Sequence, residues 1–141
     1  MLYLDTSLIV AAFANEEATG QVHSWLMTQN LAELSISDWT ITETSSAFAF
    51  KLRTGQITTD ERAAALAMLN RLTSQSFTVL PVAAAHFRAA ARYADQHTLG
   101  LGSGDALHLA IAAGHGATLH TLDHRLAKVG PTFGVPTRLL A

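Results

Sequence analysis

The sequence predicts an α/β fold, a single domain over residues 1–141 with a central, mostly parallel sheet of about five short strands and helices on both faces. Short apolar or β-branched stretches recur along the chain, and helical patterns fill the intervals between them, which is the signature of parallel strands joined by helical crossovers. Apolar residues make up 49% of the chain and charged ones only 14%, enough to build a core and too apolar for disorder.

The strands are read at "LYL" (2–4), "LSIS" (34–37), "FTVL" (77–80), "ATLHT" (117–121) and "TRLL" (137–140), and the helices at 6–14, 17–29, 39–54, 59–75, 83–97, 104–114 and 123–129. The first strand runs straight into Asp5, Thr6 and Ser7, and Asp and Thr before the apolar run "LIVAAFA" are ordinary N-capping residues. Asp38 is read as the cap of the third helix and Gly55 as its stop. "TTDE" (58–61) opens the fourth, with Glu61 three residues after Thr58 as in a capping box. Ser103 is placed as the cap of "GDALHLAIAAGHG", the most apolar helix, with Asp105 in its first turn where the helix dipole favours an acid. Asp123 follows the fourth strand as Asp5 follows the first.

There is no cysteine, which excludes disulfides and thiolate metal sites and fits a reducing compartment. No apolar run approaches the length of a membrane span, and no basic-then-apolar signal precedes the first strand. A soluble, cytoplasmic protein with no membrane partner is expected. The net charge is −2, from nine basic residues against eleven acids, which by itself argues weakly for a nucleic-acid ligand.

The placing of the acids says more. In a parallel sheet, strand C-termini and the following helix N-termini share one edge, and ligands bind in the crevice there. Asp5 and Asp123 follow strands, Asp105 opens a buried helix, and Glu43 stands on the small, apolar face of the third helix in line with Ala47 and Phe50. Each alone reads as a cap or a surface acid. Together, carboxylates gathered at one edge repel one another unless a hard cation holds them, and all-oxygen ligation favours Mg²⁺ or Mn²⁺ over zinc.

Four segments carry a resemblance: "YLDTS" (3–7), "SDWTITETSSAFAFKLRTGQIT" (37–58), "GDALHLAIA" (104–112) and "TLDHRL" (121–126). In this order, from the first strand to the C-terminal "GVPTRLL", the chain resembles the PIN-domain ribonucleases, and among them the VapC-type toxins of bacterial toxin–antitoxin pairs. The resemblance implies a PIN-like α/β/α sandwich, endonuclease activity on RNA dependent on Mg²⁺ or Mn²⁺, a homodimer, and a cognate antitoxin as partner. It implies an acidic quartet of Asp5, Glu43, Asp105 and Asp123, with Thr121 at a hydroxyl position beside the last acid, and Thr6 and Ser7 in support. Asp5, Glu43 and Asp105 are expected as primary ligands, and Asp123 as the holder of a water or a second ion. "LGSG" (101–104) lacks the basic residue that many such proteins carry before the third acid.

Without the four acids the remaining charges sum to +2, and Lys51, Arg53, Arg125 and Lys128 become candidates for phosphate contacts. The same four residues also read as solvated helix ends near the negative pole of the dipole. Trp25 and Trp39 read as packing residues or base platforms. Two rival readings are open. His108, His115, His120 and His124 crowd one stretch with Asp105 and suit a zinc or iron hydrolase. The other rival is a PIN-like scaffold that binds RNA or a partner without cutting it. A haloacid-type phosphatase wants an acid where this chain has Ser7, and a receiver module wants a lysine better placed than Lys128.

Overall fold

The computed structural model describes residues 1–140, and among them five strands and seven α-helices alternate. The strands are β1 (Leu2–Leu4), β2 (Leu34–Ser37), β3 (Thr78–Leu80), β4 (Thr118–Thr121) and β5 (Thr137–Leu139). Between them lie α1 (Thr6–Phe13), α2 (Thr19–Met27), α3 (Asp38–Arg53), α4 (Thr59–Gln75), α5 (Ala84–Ala94), α6 (Ser103–His115) and α7 (His124–Val129). All pairings are parallel and the strand order is β3-β2-β1-β4-β5. β1 is therefore central, and the chain winds outward from it first through β2 and β3, then through β4 and β5.

Alternation along the strands sends successive side chains to opposite faces. Tyr3 and Leu119 join the cluster built with α5 and α6, around Leu107, Leu109 and Ile111. Leu4, Leu34 and Ile36 join the cluster built with α1, α2 and α4, around Leu8, Ile9 and Leu69. A third cluster, centred on the fully buried Phe48, locks α3 against α1 and α4. Helices thus cover both faces, as the composition requires: a parallel sheet has no wet face.

Local chemistry sets the boundaries. Thr58 and Glu61 form the expected capping box of α4, and Gly55, at φ +76°, ends α3 in the left-handed region that a residue with a Cβ avoids. Two capping expectations are corrected. Ser37, not Asp38, caps α3: its hydroxyl accepts from Thr40 N–H while the Thr40 hydroxyl accepts from Ser37 N–H, which puts Asp38 inside the first turn. Ser103 begins α6 instead of capping it, behind a Gly102 that offers no side chain. The helix expected over 83–97 stops at Ala94, and a short 3₁₀ turn follows at His97–Leu99. The helix expected over 17–29 is likewise shorter, Thr19–Met27, and the Thr19 hydroxyl at its start donates to the carbonyls of Ala11 and Ala14.

Candidate active site

The strand order changes direction between β1 and β4, and Asp5 and Asp123 emerge on either side of that switch, where open α/β sheets bind ligands. Asp5 is 3% exposed, and both its oxygens have donors. Oδ1 accepts from Ser7 Oγ (2.6 Å) and Leu8 N–H (3.3 Å), and Oδ2 accepts from the Thr121 hydroxyl. Ser7 and Thr121 also stitch the two strand ends together: Ser7 Oγ accepts from Leu122 N–H at 3.0 Å, and Thr121 Oγ1 accepts from Asp123 N–H at 2.9 Å. Asp123 caps α7 by accepting from Leu126 N–H. The two strand-end acids are thus helix caps and crevice acids at once. Burial pushes the Asp5 carboxyl above its ordinary range, and His108, Ser7, Thr121 and Leu8 N–H only partly pull it back.

Glu43 comes from the second turn of α3. Its Oε1 accepts from the Thr6 hydroxyl and from His108 Nε2, each at 2.6 Å. Burial alone would raise its carboxyl, but the hydrogen bonds of His108 and Thr6, with the proximity of His108, outweigh it and hold the group low. Glu43 Oε2 lies 2.7 Å from the point where a Cβ on Gly104 would stand, so the start of α6 passes the carboxylate closely only because that residue is glycine.

Asp105, in the first turn of α6, is half-buried and accepts no hydrogen bond among the described residues. Its carboxyl is pushed up to about 6, first by burial and then by Asp123, with Asp5 and Glu43 adding and His108 opposing. The four acids share one electrostatic neighbourhood. As the side chains stand, no three His, Asp or Glu among the described residues form a ready-made metal cage. The donor set nonetheless fits a hard cation: three oxygen-only groups bear on a fourth that lacks any donor, and repulsion of that kind is what such an ion relieves.

Two clefts flank this neighbourhood. One, of about 480 Å³, is lined by Thr6, Ser7, Lys51 and Asp123, and the other, of about 570 Å³, by Thr6, Trp39, Glu43 and Arg53; Ala47 and Phe50 form the wall they share. Lys51 pairs with Glu16 at 2.9 Å, and Arg53 lies over the Phe50 ring, 5.8 Å from its centre. Arg125 and Lys128 line a separate depression beside Leu99, where Arg125 donates to the Gly100 carbonyl. The basic candidates therefore divide, two at the acid clefts and two away from them. Trp39 lies partly buried with its indole N–H on the Gly104 carbonyl, and Trp25 packs against His120.

The crowded histidines do not converge. His115 lies against His86, His120 against Trp25, and His124 begins α7. His108 alone reaches the acids, and sequence reasoning missed it as the partner of Glu43, although it follows Asp105 by three residues on one helix. Phe50, in line with Glu43 seven residues on, stands 52% exposed in the cleft wall.

A family model for the PIN domain matches residues 2–130. No curated protein matches the chain. Among solved structures, FitAcB from Neisseria gonorrhoeae is similar at 21% identity, covering 99% of this chain and 98% of that one, with a TM-score of 0.72. VapC20 of Mycobacterium tuberculosis, a sarcin–ricin loop cleaving toxin, is similar at 19% identity over 92% and 95%, with a TM-score of 0.74. The DNA-bound VapBC of Salmonella typhimurium is similar at 17% identity over 99% and 98%, with a TM-score of 0.72. At these identities the likeness is one of fold, and it extends over nearly all of each chain. The sequence match begins at β1 and ends just past α7, so it takes in all four acids and the crevice they share: the chain belongs to the PIN-domain family.

Proposed function

We propose that the protein is a metal-dependent endoribonuclease and the toxin of a toxin–antitoxin pair, cutting RNA phosphodiesters to leave 5′-phosphate and 3′-hydroxyl ends. One observation carries the reading: at the switch point of the sheet a half-buried Asp105 has no donor among the described residues, and its carboxyl is raised to about 6 by burial first and then by Asp123, Asp5 and Glu43. Capping accounts for Asp5 and Asp123, but it gives no reason to crowd Asp105 and Glu43 against them. Asp5, Glu43 and Asp105 would hold Mg²⁺ or Mn²⁺, with Asp123 holding a water or a second ion. When bound, such an ion lowers the pKa of a coordinated water and offsets charge developing on the phosphate.

The chain's own residues supply the rest. Ser7 and Thr121 fix the orientation of Asp5, while Thr6 and His108 fix that of Glu43. Lys51 and Arg53 offer cations to backbone phosphates along the paired clefts, and exposed Phe50 offers a ring on which a base can stack. The toxin assignment and an antitoxin partner are supported by the solved toxin and toxin–antitoxin complex that share this fold, and a homodimer is proposed alongside them.

The test is cleavage of end-labelled RNA by purified protein in Mg²⁺ or Mn²⁺, with EDTA and Asp5→Asn as controls. Metal-dependent fragments bearing 5′-phosphates are expected. Cyclic 2′,3′-phosphates, or cutting that survives EDTA, would overturn the chemistry. Equal growth of a bacterial host expressing wild type or Asp5→Asn alone would overturn the toxin role.

A further inference from the structure

His108 is 1% exposed in the middle of α6, and both its ring nitrogens are engaged. Nδ1 meets the Tyr3 hydroxyl at 2.7 Å, and Nε2 meets Glu43 Oε1 at 2.6 Å, with the Thr6 hydroxyl 3.2 Å away. An ionised carboxylate can only accept, so Nε2 carries the hydrogen of that bond whatever the charge of the ring. Tyr3 is fixed from behind in turn. Its hydroxyl lies 2.8 Å from Ser37 Oγ and 3.2 Å from Thr40 Oγ1, the two residues of the box that caps α3. α3 is also the helix that carries Glu43. The contacts therefore close a loop from the cap of α3 through Tyr3 on β1 and His108 on α6, and back to Glu43 on α3.

We infer that His108 is a positioning residue for Glu43, locked by Tyr3 so that Oε1 stays bound and Oε2 alone is presented to the other acids. The inference rests on the acid-cleft reading proposed above. A core histidine that merely satisfies its hydrogen bonds would have packing or backbone partners on both sides. Here one partner is a site carboxylate whose second oxygen accepts no hydrogen bond among the described residues and faces the start of α6 at Gly104. Side chains that orient a ligand from behind, as here, tune metal sites through geometry.

The two amide substitutions separate the roles, because glutamine can put its nitrogen where Nε2 stands and asparagine where Nδ1 stands. Crystals of the metal-free proteins should show Glu43 held by Thr6 and residue 108 in His108→Gln but released in His108→Asn. Calorimetric titration with Mn²⁺ should give a Kd raised about 10- to 100-fold in His108→Asn, with His108→Gln within about threefold of wild type. Tyr3→Phe, which removes one hydroxyl and opens no cavity, should weaken Mn²⁺ by several-fold, and it carries the test if the histidine variants fail to fold. Glu43 unmoved in His108→Asn, equal Mn²⁺ affinity in the two amide variants, or unchanged affinity in Tyr3→Phe would overturn the inference. If Glu43 moves as described but wild type takes up no Mn²⁺, the positioning role stands and the metal-dependent reading falls.

Discussion

Thr121, the last residue of β4, donates its hydroxyl hydrogen to Asp5, just past β1, across 116 residues of chain. The same oxygen accepts from Asp123 N–H, so one hydroxyl fixes a crevice acid and the backbone of another.

Thr121→Val keeps shape and volume but leaves the buried Asp5 Oδ2 and the Asp123 N–H without that partner. Losing a hydrogen bond to a buried charged group costs about 1–3 kcal/mol, and a fall of that size is expected in urea unfolding. Thr121→Ser should restore most of it. A valine variant as stable as wild type would mean that Asp5 is protonated, or otherwise satisfied, in the fold.

Asp105→Asn should be more stable than wild type in EDTA at neutral pH, although inactive. The carboxyl moves from an ordinary 3.8 to about 6 in the fold, so its ionisation opposes folding once pH exceeds the unfolded value. The advantage of the variant is therefore absent below about pH 4, grows between pH 4 and 6, and is full above. The group is half-exposed, and solvent screening brings the expected gain to on the order of 1 kcal/mol. Thermal melts at pH 4, 5 and 7 check this. A variant that melts lower at pH 7 would make Asp105 chiefly a helix-start residue.

Gly104→Ala sets helix propensity against the site. Alanine favours the helix by up to about 1 kcal/mol, and the atom its Cβ meets is Oε2 of Glu43, the carboxylate oxygen that no hydrogen bond holds among the described residues. Melting temperature should hold or rise while RNA cleavage falls about tenfold or more, because Glu43 Oε2 must move. Unchanged cleavage would show that the place of Glu43 does not matter.

The basic residues should separate by position. In an Asp5→Asn background that cannot cut, Lys51→Ala should lower RNA affinity and reduce the salt dependence of binding by about one phosphate contact. Releasing Glu16 from its pair acts in the same direction. Arg125→Ala should leave the salt slope alone. Fluorescence anisotropy at several salt concentrations measures both, and the reverse outcome would move the RNA path to the depression beside Leu99.

Legibility followed distance along the chain. The Thr58–Glu61 box and the strands could be read because their signals are local, confined to a few neighbouring residues. Ser37 and Asp38 are both good caps, and only the end of β2 decides which of them faces the free N–H groups. The acids were picked out as candidates because residue type and strand ends coincide at Asp5 and Asp123. Their geometry was not, since Tyr3 and His108 stand 105 residues apart and His108 and Glu43 stand 65 apart. No periodicity reports a pairing of that kind. Arg125 likewise reads as a free cation until Gly100, 25 residues away, takes its guanidinium.

The central place of β1 has a consequence for biosynthesis. The strand made first has one of its two neighbours, β4, near the end of the chain. At about 5–20 residues per second, the ribosome reaches Thr121 on the order of ten seconds after Asp5. Until then the nascent chain lacks the hydroxyl that fixes Asp5, lacks Asp123, and has half its central strand unpaired. The completed crevice is among the last things the ribosome delivers, so the first acid waits through most of synthesis for the hydroxyl and the strand that fix it.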